Sequence, residues 1–256
     1  MLSKLWRLIT AVVSFIKSLF GGPSYNARMS DEEFKNDSYT LLKGTLLPQG
    51  AQLADEIDKV DRTSEEDRLY YGYLKSFLIG SGCLADDIVN AAHNNAVLLA
   101  AIGTRVLIED EINAFYLRSK NTETEKRAVA QDWLKVTNDP AAIKSKIDGK
   151  TVKQRADGGG EYTKGLYEAE YALFCNYSHS TAHRGLLEEE NFKRLGIKKS
   201  TLVSLQAYWN ILVTIGEVAG REVPDAAGES VRAYLDKYKI TVVEATLPLP
   251  DVNEEQ

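Results

Sequence analysis

Residues Ala96 to Arg118 read AVLLAAIGTRVLIEDEINAFYLR. Leu98, Ile102, Arg105, Glu109, Ile112 and Tyr116 step by four and three, the period of a helix rather than a strand. Thr104, Glu111 and Arg118 mark a separate hydrophilic face. Arg105 and Glu109 therefore stand one turn apart within an apolar stripe. Burying two charges is costly unless they pair and are hydrogen-bonded. The expectation is an Arg105–Glu109 ion pair that meets further polar groups. It is either a structural bridge or part of a site inside a bundle, and a nearby His179 or His183 would favour the site.

The flanking sequence extends the helical pattern. Ser64, followed by Glu65, Glu66 and Asp67, opens a long helix to about His93, with a stripe of Tyr70, Leu74, Phe77, Leu84, Ile88 and Ala91. Gly80 and Gly82 mark a kink or a close helix crossing, and His93 reads as a C-terminal cap or dipole partner. Asn94-Asn95 form a short turn, so this helix and the next should lie antiparallel. Upstream, Ser30 with Glu33 opens a helix to about Leu47, ended by Pro48 and Gly50, before a short acidic helix from Ala51 to Val60. Downstream come a helix from Asn121 to about Val136 with Trp133 packed, and a short one to about Ile147. Asp148 to Gly160, with three consecutive glycines, reads as a mobile connector. A phosphate-binding loop would need a Lys-Ser/Thr pair after it and a strand before it. Ser200 opens a helix to about Gly220 with Leu202, Leu205, Trp209, Leu212 and Ile215 on its core side. Pro224 and Asp225 begin a last helix ending near Tyr238. Apart from a short strand expected at Thr241 to Val243, strand alternation is almost absent. The fold class is all-α, an antiparallel helical bundle.

With 256 residues, 44% hydrophobic and 27% charged, the chain suits one globular domain with extensions. We divide it into an N-terminal amphipathic helix over 1–22, a bundle over 30–239 and a loose tail over 240–256. Net charge is −6, yet the first 29 residues carry Lys4, Arg7, Lys17 and Arg28 and no acid. This argues against a broad nucleic-acid surface and leaves room for a local basic pocket. Residues 2–20 combine one thin polar face with a wide apolar one and Trp6. They suit an anionic membrane surface, a partner protein or the chain's own core. Cys83 and Cys175 read as buried free thiols in a reducing, cytoplasmic compartment, with the chain peripheral at the inner face of the membrane if residues 2–20 bind it.

Glu161 to Gly185, EYTKGLYEAEYALFCNYSHSTAHRG, holds two of the three histidines. On a regular helix Glu168, Ala172, Asn176, His179 and His183 share one stripe, which is either a solvent side or polar chemistry set into a bundle. His179 and His183 have the spacing of a metal pair. The residue after His179 is Ser180 rather than the usual Glu, and a third ligand would have to come from Glu109, Glu168 or His93. No metal or cofactor is therefore expected. A metal-free route fits better: a His of near-neutral pKa moves the 2′-hydroxyl proton of RNA. Arg105 or Arg184 stabilises the phosphorane, and Asn176, Tyr177 or Ser180 positions the phosphate. His183 is the candidate acid/base, Arg105 the phosphate contact and Glu109 its holder.

GTRVLIEDEINAFYL followed by YALFCNYSHSTAH resembles a family of mostly uncharacterised prokaryotic all-α proteins, similar to HEPN domains. The R-x3-E pair is matched by Arg105 and Glu109, and the Tyr/Ser/His helix by Tyr177, Ser178 or Ser180, and His183. The likeness covers roughly residues 64–220. It implies a metal-independent ribonuclease, a homodimer, and a role in toxin or antiphage defence; many relatives are non-catalytic binding modules. The wider group places an Arg before its His, whereas here Arg184 follows His183. Three function classes stand: an RNA- or nucleotide-directed effector, a helical interaction module held at a membrane through residues 2–20, and a metal-dependent helical enzyme.

Overall fold

The computed structural model describes residues 31–62, 64–138, 147–179 and 190–238, and these are helical almost throughout. The helices are α1 (Asp31–Leu41), α2 (Leu47–Asp58), α3 (Glu65–His93), α4 (Val97–Arg118), α5 (Glu123–Asn138), α6 (Val152–Gly158), α7 (Glu161–Leu166), α8 (Ala172–His179), α9 (Glu190–Val218) and α10 (Asp225–Tyr238). Short π-turns join α1 to α2 (Leu42–Leu46) and α7 to α8 (Tyr167–Tyr171). The described residues contain one isolated bridge, Ile147 with Lys150, and no strand. None of their helices is long and apolar enough to cross a membrane. The amphipathic segment 2–20, the Ser30 cap, the short helix before Ile147 and the strand at Thr241 to Val243 lie outside the described residues.

α3 starts at Ser64, whose hydroxyl accepts from the Asp67 N–H at 3.0 Å. Its buried side runs through Tyr70, Leu74, Leu78, Ala85, Ile88 and Ala92. Asn95, with φ of 62°, turns the chain into α4. Ser81 meets Asp110 at 3.3 Å, and Gly103 lies against Ile88, so α3 and α4 run antiparallel. Gly82 marks a close crossing, not a kink. A Cβ there would stand 2.6 Å from the Tyr208 hydroxyl of α9, and Gly50 of α2 flanks the same hydroxyl. Two missing side chains thus make the slot that a buried tyrosine fills.

α4 is the hub, packed on α3, α6, α8 and α9. It has no solvated face through Thr104 and Glu111. Thr104 is buried, shares a 3.2 Å hydrogen bond with Ser204 of α9 and donates to the Ala100 carbonyl. Glu111 is only 1% exposed. With α9 on one side and α6 and α8 on another, a central helix can hide polar groups wherever a partner supplies hydrogen bonds.

Four further expectations are corrected. Pro48 does not end the first helix. The π-turn widens the coil there and admits Pro48 into the opening turn of α2, where a missing N–H costs nothing. Ser200 does not cap a helix; it is buried inside α9, which runs from Glu190. Cys83 is exposed and Cys175 half-buried. His93 does end α3, but its ring packs against Phe34 and Tyr39. Burial, with Lys35 nearby, pushes its pKa down to about 4, so it gives the helix dipole no cation.

Candidate functional site

The expected connector from Asp148 to Gly160 is a folded element. Ile147 to Lys150 forms a tight turn with φ of 52° at Asp148 and 66° at Gly149, closed by the Lys150 N–H donating to the Ile147 carbonyl at 2.9 Å. Asp-Gly suits such positive angles. Thr151 then caps α6 with Gln154 in a reciprocal box: the Gln154 N–H donates to Thr151 Oγ1, and the Thr151 N–H to Gln154 Oε1. The turn is tied down at Asp148, whose carboxylate accepts from the Tyr116 hydroxyl and, at 3.0 Å, from Lys120 Nζ. The Tyr116 hydroxyl first, with Lys120, holds the Asp148 carboxyl below its ordinary range against the opposing effect of burial.

This construction delivers Arg155 to α4. Arg155 is 3% exposed, and its guanidinium donates in three directions. Nε donates to Asn113 Oδ1 at 2.6 Å, Nη1 to the Lys150 carbonyl at 2.7 Å, and Nη2 to Glu109 Oε1 at 3.0 Å. Burial draws its pKa down and the Glu109 charge works against that. A buried guanidinium tolerates its position only with such a full set of acceptors.

The second contributor is the π-turn before α8. It breaks the regular 100° step and carries Tyr171 inward, where its hydroxyl lies 3.4 Å from Glu109 Oε2. Burial, helped by the Glu109 charge, pushes the Tyr171 hydroxyl up to about 12. Arg105 sits with its guanidinium carbon 5.7 Å from the Tyr171 ring centre. Its Nε is buried and has no hydrogen-bond partner among the described residues. Burial opposes the Arg105 charge, but Tyr171, Cys175 and Glu109 together raise its pKa. Cys175 completes this wall; burial raises its thiol, so it is a neutral neighbour and not a thiolate.

Arg105 and Glu109 therefore share one half-buried cluster, but Glu109 forms its salt bridge with Arg155 rather than with Arg105. Asn176 and Glu168 are both exposed. Tyr177 packs on Phe174 with ring centres 6.1 Å apart. His179 is the last residue of α8 and its side chain lies outside the described residues, as do His183, Arg184 and Ser180. The sequence reading missed Arg155, Asn113 and Tyr171; the Asp-Gly turn and the Thr-x-x-Gln box were the local signals for the first. Among the described residues no group of three or more His, Cys, Asp or Glu is arranged to hold a metal.

A second polar cluster lies across α4, with Glu111 buried and Tyr162 at its exposed edge. Glu111 Oε1 accepts from the Tyr162 hydroxyl and from Asn210 Nδ2, each at 2.7 Å, and Asn210 also donates to Tyr162 at 2.8 Å. Burial pushes the Glu111 carboxyl up to about 7. Asp110 is raised to about 7 by burial as well, with the Ser81 hydroxyl opposing and the Glu109 charge adding to the shift.

No protein-family model matches the chain, and the curated proteins and solved structures compared with it give no match.

Proposed function

We propose that this chain is a HEPN-like, metal-independent RNA- or nucleotide-directed effector of the prokaryotic defence or toxin type, acting through the Arg105 cluster. One observation carries the reading. Arg155 occupies the Glu109 carboxylate, so the Arg105 charge stands over Tyr171 without a carboxylate salt bridge among the described residues. A half-buried cation left in that condition suits a phosphodiester oxygen.

The roles follow from chemistry. His183 takes the proton of an RNA 2′-hydroxyl, whose oxygen attacks the adjacent phosphorus. His183 returns that proton to the departing 5′-oxygen, giving a 2′,3′-cyclic phosphate and a 5′-hydroxyl. Arg105 stabilises the charge of the five-coordinate phosphorus, Tyr171 supports its guanidinium, and Glu109 is fixed behind it by Arg155. No oxidant, metal or cofactor enters this balance.

Expression of the wild type beside Arg105→Ala and His183→Ala tests it, read as growth and total-RNA integrity. The expected result is growth arrest with RNA fragments ending in cyclic phosphate, formed equally in EDTA-treated extract, and intact RNA with either variant. Intact RNA under wild-type expression would sink the reading, as would undiminished cutting by His183→Ala.

A further inference from the structure

The flank of α4 that points away from α9 carries Leu99, Ile102 and Val106 at i, i+3 and i+7, one helical stripe. Leu99 is 65% exposed and Val106 44%. The stripe adjoins α3 where Leu84 and Ile88 close over Gly103. From Ser76 to His93 α3 carries no Lys or Arg and leaves Asp87 exposed, while Asp86 is paired with Lys43 and Asp110 of α4 is bonded to Ser81.

The chain enters the described fold at the matching end. Asp31, the first residue of α1, lines one cavity with His93 and Asn95 at the α3–α4 turn. Leu99 lies one helical turn beyond Asn95, about 6 Å along the axis. Residues 2–20 precede Asp31 across the ten residues 21–30. Fully extended, such a linker spans about 33 Å. The segment brings Leu5, Ile9, Val12, Ile16 and Leu19 on its wide apolar side, and Lys4, Arg7 and Lys17 with no acid. Apolar pattern, charge and reach all match the stripe.

We propose that residues 2–20 dock as a helix on this α4 stripe, apolar side against Leu99, Ile102 and Val106, with their bases toward Asp87. Docked there, the segment flanks Arg105. The inference does not depend on the ribonuclease reading.

Disulfide trapping in the full-length chain tests it, with Cys83→Ser and Cys175→Ser as background. Leu19→Cys with Leu99→Cys is the docking pair. Leu19→Cys with Leu69→Cys is the control, because Leu69 is exposed at the far end of α3. Mass spectrometry under mild oxidation should show the intramolecular docking bond forming about tenfold faster than the control, through raised effective concentration. Adding Val106→Glu should erase most of that advantage; where circular dichroism shows that variant misfolded, Val106→Ser should give a smaller loss. Equal rates in the two pairs overturn the proposal, as does indifference to both Val106 substitutions. Covalent dimers as the main product would assign the stripe to a second copy. A trap abolished by phosphatidylglycerol-rich vesicles but slow without them would assign residues 2–20 to the membrane. Either result rejects docking.

Discussion

Glu109 and Glu111 stand two residues apart on α4 and are handled in opposite ways. Glu109 faces a guanidinium, with Arg155 donating at 3.0 Å. Glu111 faces two neutral donors, the Tyr162 hydroxyl and the Asn210 amide, and is almost fully buried. With Glu111 buried and only neutral donors facing it, desolvation dominates and the acid holds its proton to about pH 7. One helix thus carries a charged cluster on one flank and a protonated clip on the other. What separates them is which helix lies opposite, α6 or α9.

The comparison can be broken most severely at Arg155. Arg155→Ala strands Glu109 and unpairs Asn113, and should lower unfolding free energy by about 3–5 kcal/mol. Arg155→Lys should recover little of it, because one ammonium cannot reproduce the three-way fork. Urea denaturation decides; a loss under about 1 kcal/mol would show that the cluster is not held by this residue.

The next effect belongs to Glu111 and Asp110. Both have folded-state values near 7, above the ordinary carboxyl range. Their contribution is full below the unfolded value, near pH 4, and is lost as pH rises through about 7. Stability should therefore fall between pH 5 and pH 8, by roughly 5 kcal/mol in all. Glu111→Gln should flatten a large part of that slope. The carboxyls held low, such as Asp148, lose their stabilising effect only below their ordinary range, outside this window. Stability that rises steadily from pH 5 to 8 would refute the protonated clip.

Tyr162→Phe removes one donor from Glu111 while Asn210 remains. A cost of about 1 kcal/mol is expected, measured by thermal melting; a cost as large as that of Arg155→Ala would mean the clip is not the weaker cluster. Smallest of all, Arg105→Ala should change stability by less than about 1 kcal/mol, since the side chain is only partly buried and lacks a carboxylate partner among the described residues. The same variant should abolish RNA cleavage. Loss of stability without loss of cleavage would make Arg105 a structural residue.

Much of the bundle was legible in sequence because its largest helices bury one side in steps of three and four. Tyr70, Leu74 and Ile88 on α3, and Leu205, Leu212 and Ile215 on α9, are core residues for that reason. Polar residues followed a different logic. Glu111 is an acid in the chain and a buried neutral group in the fold, stabilised by Tyr162 and Asn210 from distant segments whose approach no local pattern announces. The Glu168–Asn176 stripe assumed a regular helix, and one π-turn was enough to change which residues face α4. Of the candidate site, the Arg105–Glu109 spacing was readable, while Arg155 lies in a segment whose glycines give it the composition of a connector. Its turn and cap were written plainly in Asp148-Gly149 and Thr151-x-x-Gln154, whose small signals were outweighed by the glycines after them.

The tyrosine held between Gly50 and Gly82 has a consequence for the order of synthesis. α2 and α3 leave the ribosome long before Tyr208 does, and until it arrives their two glycines face each other across an unfilled slot. α3 and α4 can pair early, being neighbours in the chain, and α2 packs directly on α3, but the slot between the two glycines stays open until the ninth helix brings its tyrosine. A nascent chain halted after α8 would therefore hold a formed hairpin on an open seam, and such seams are where chaperones bind and where partial chains associate.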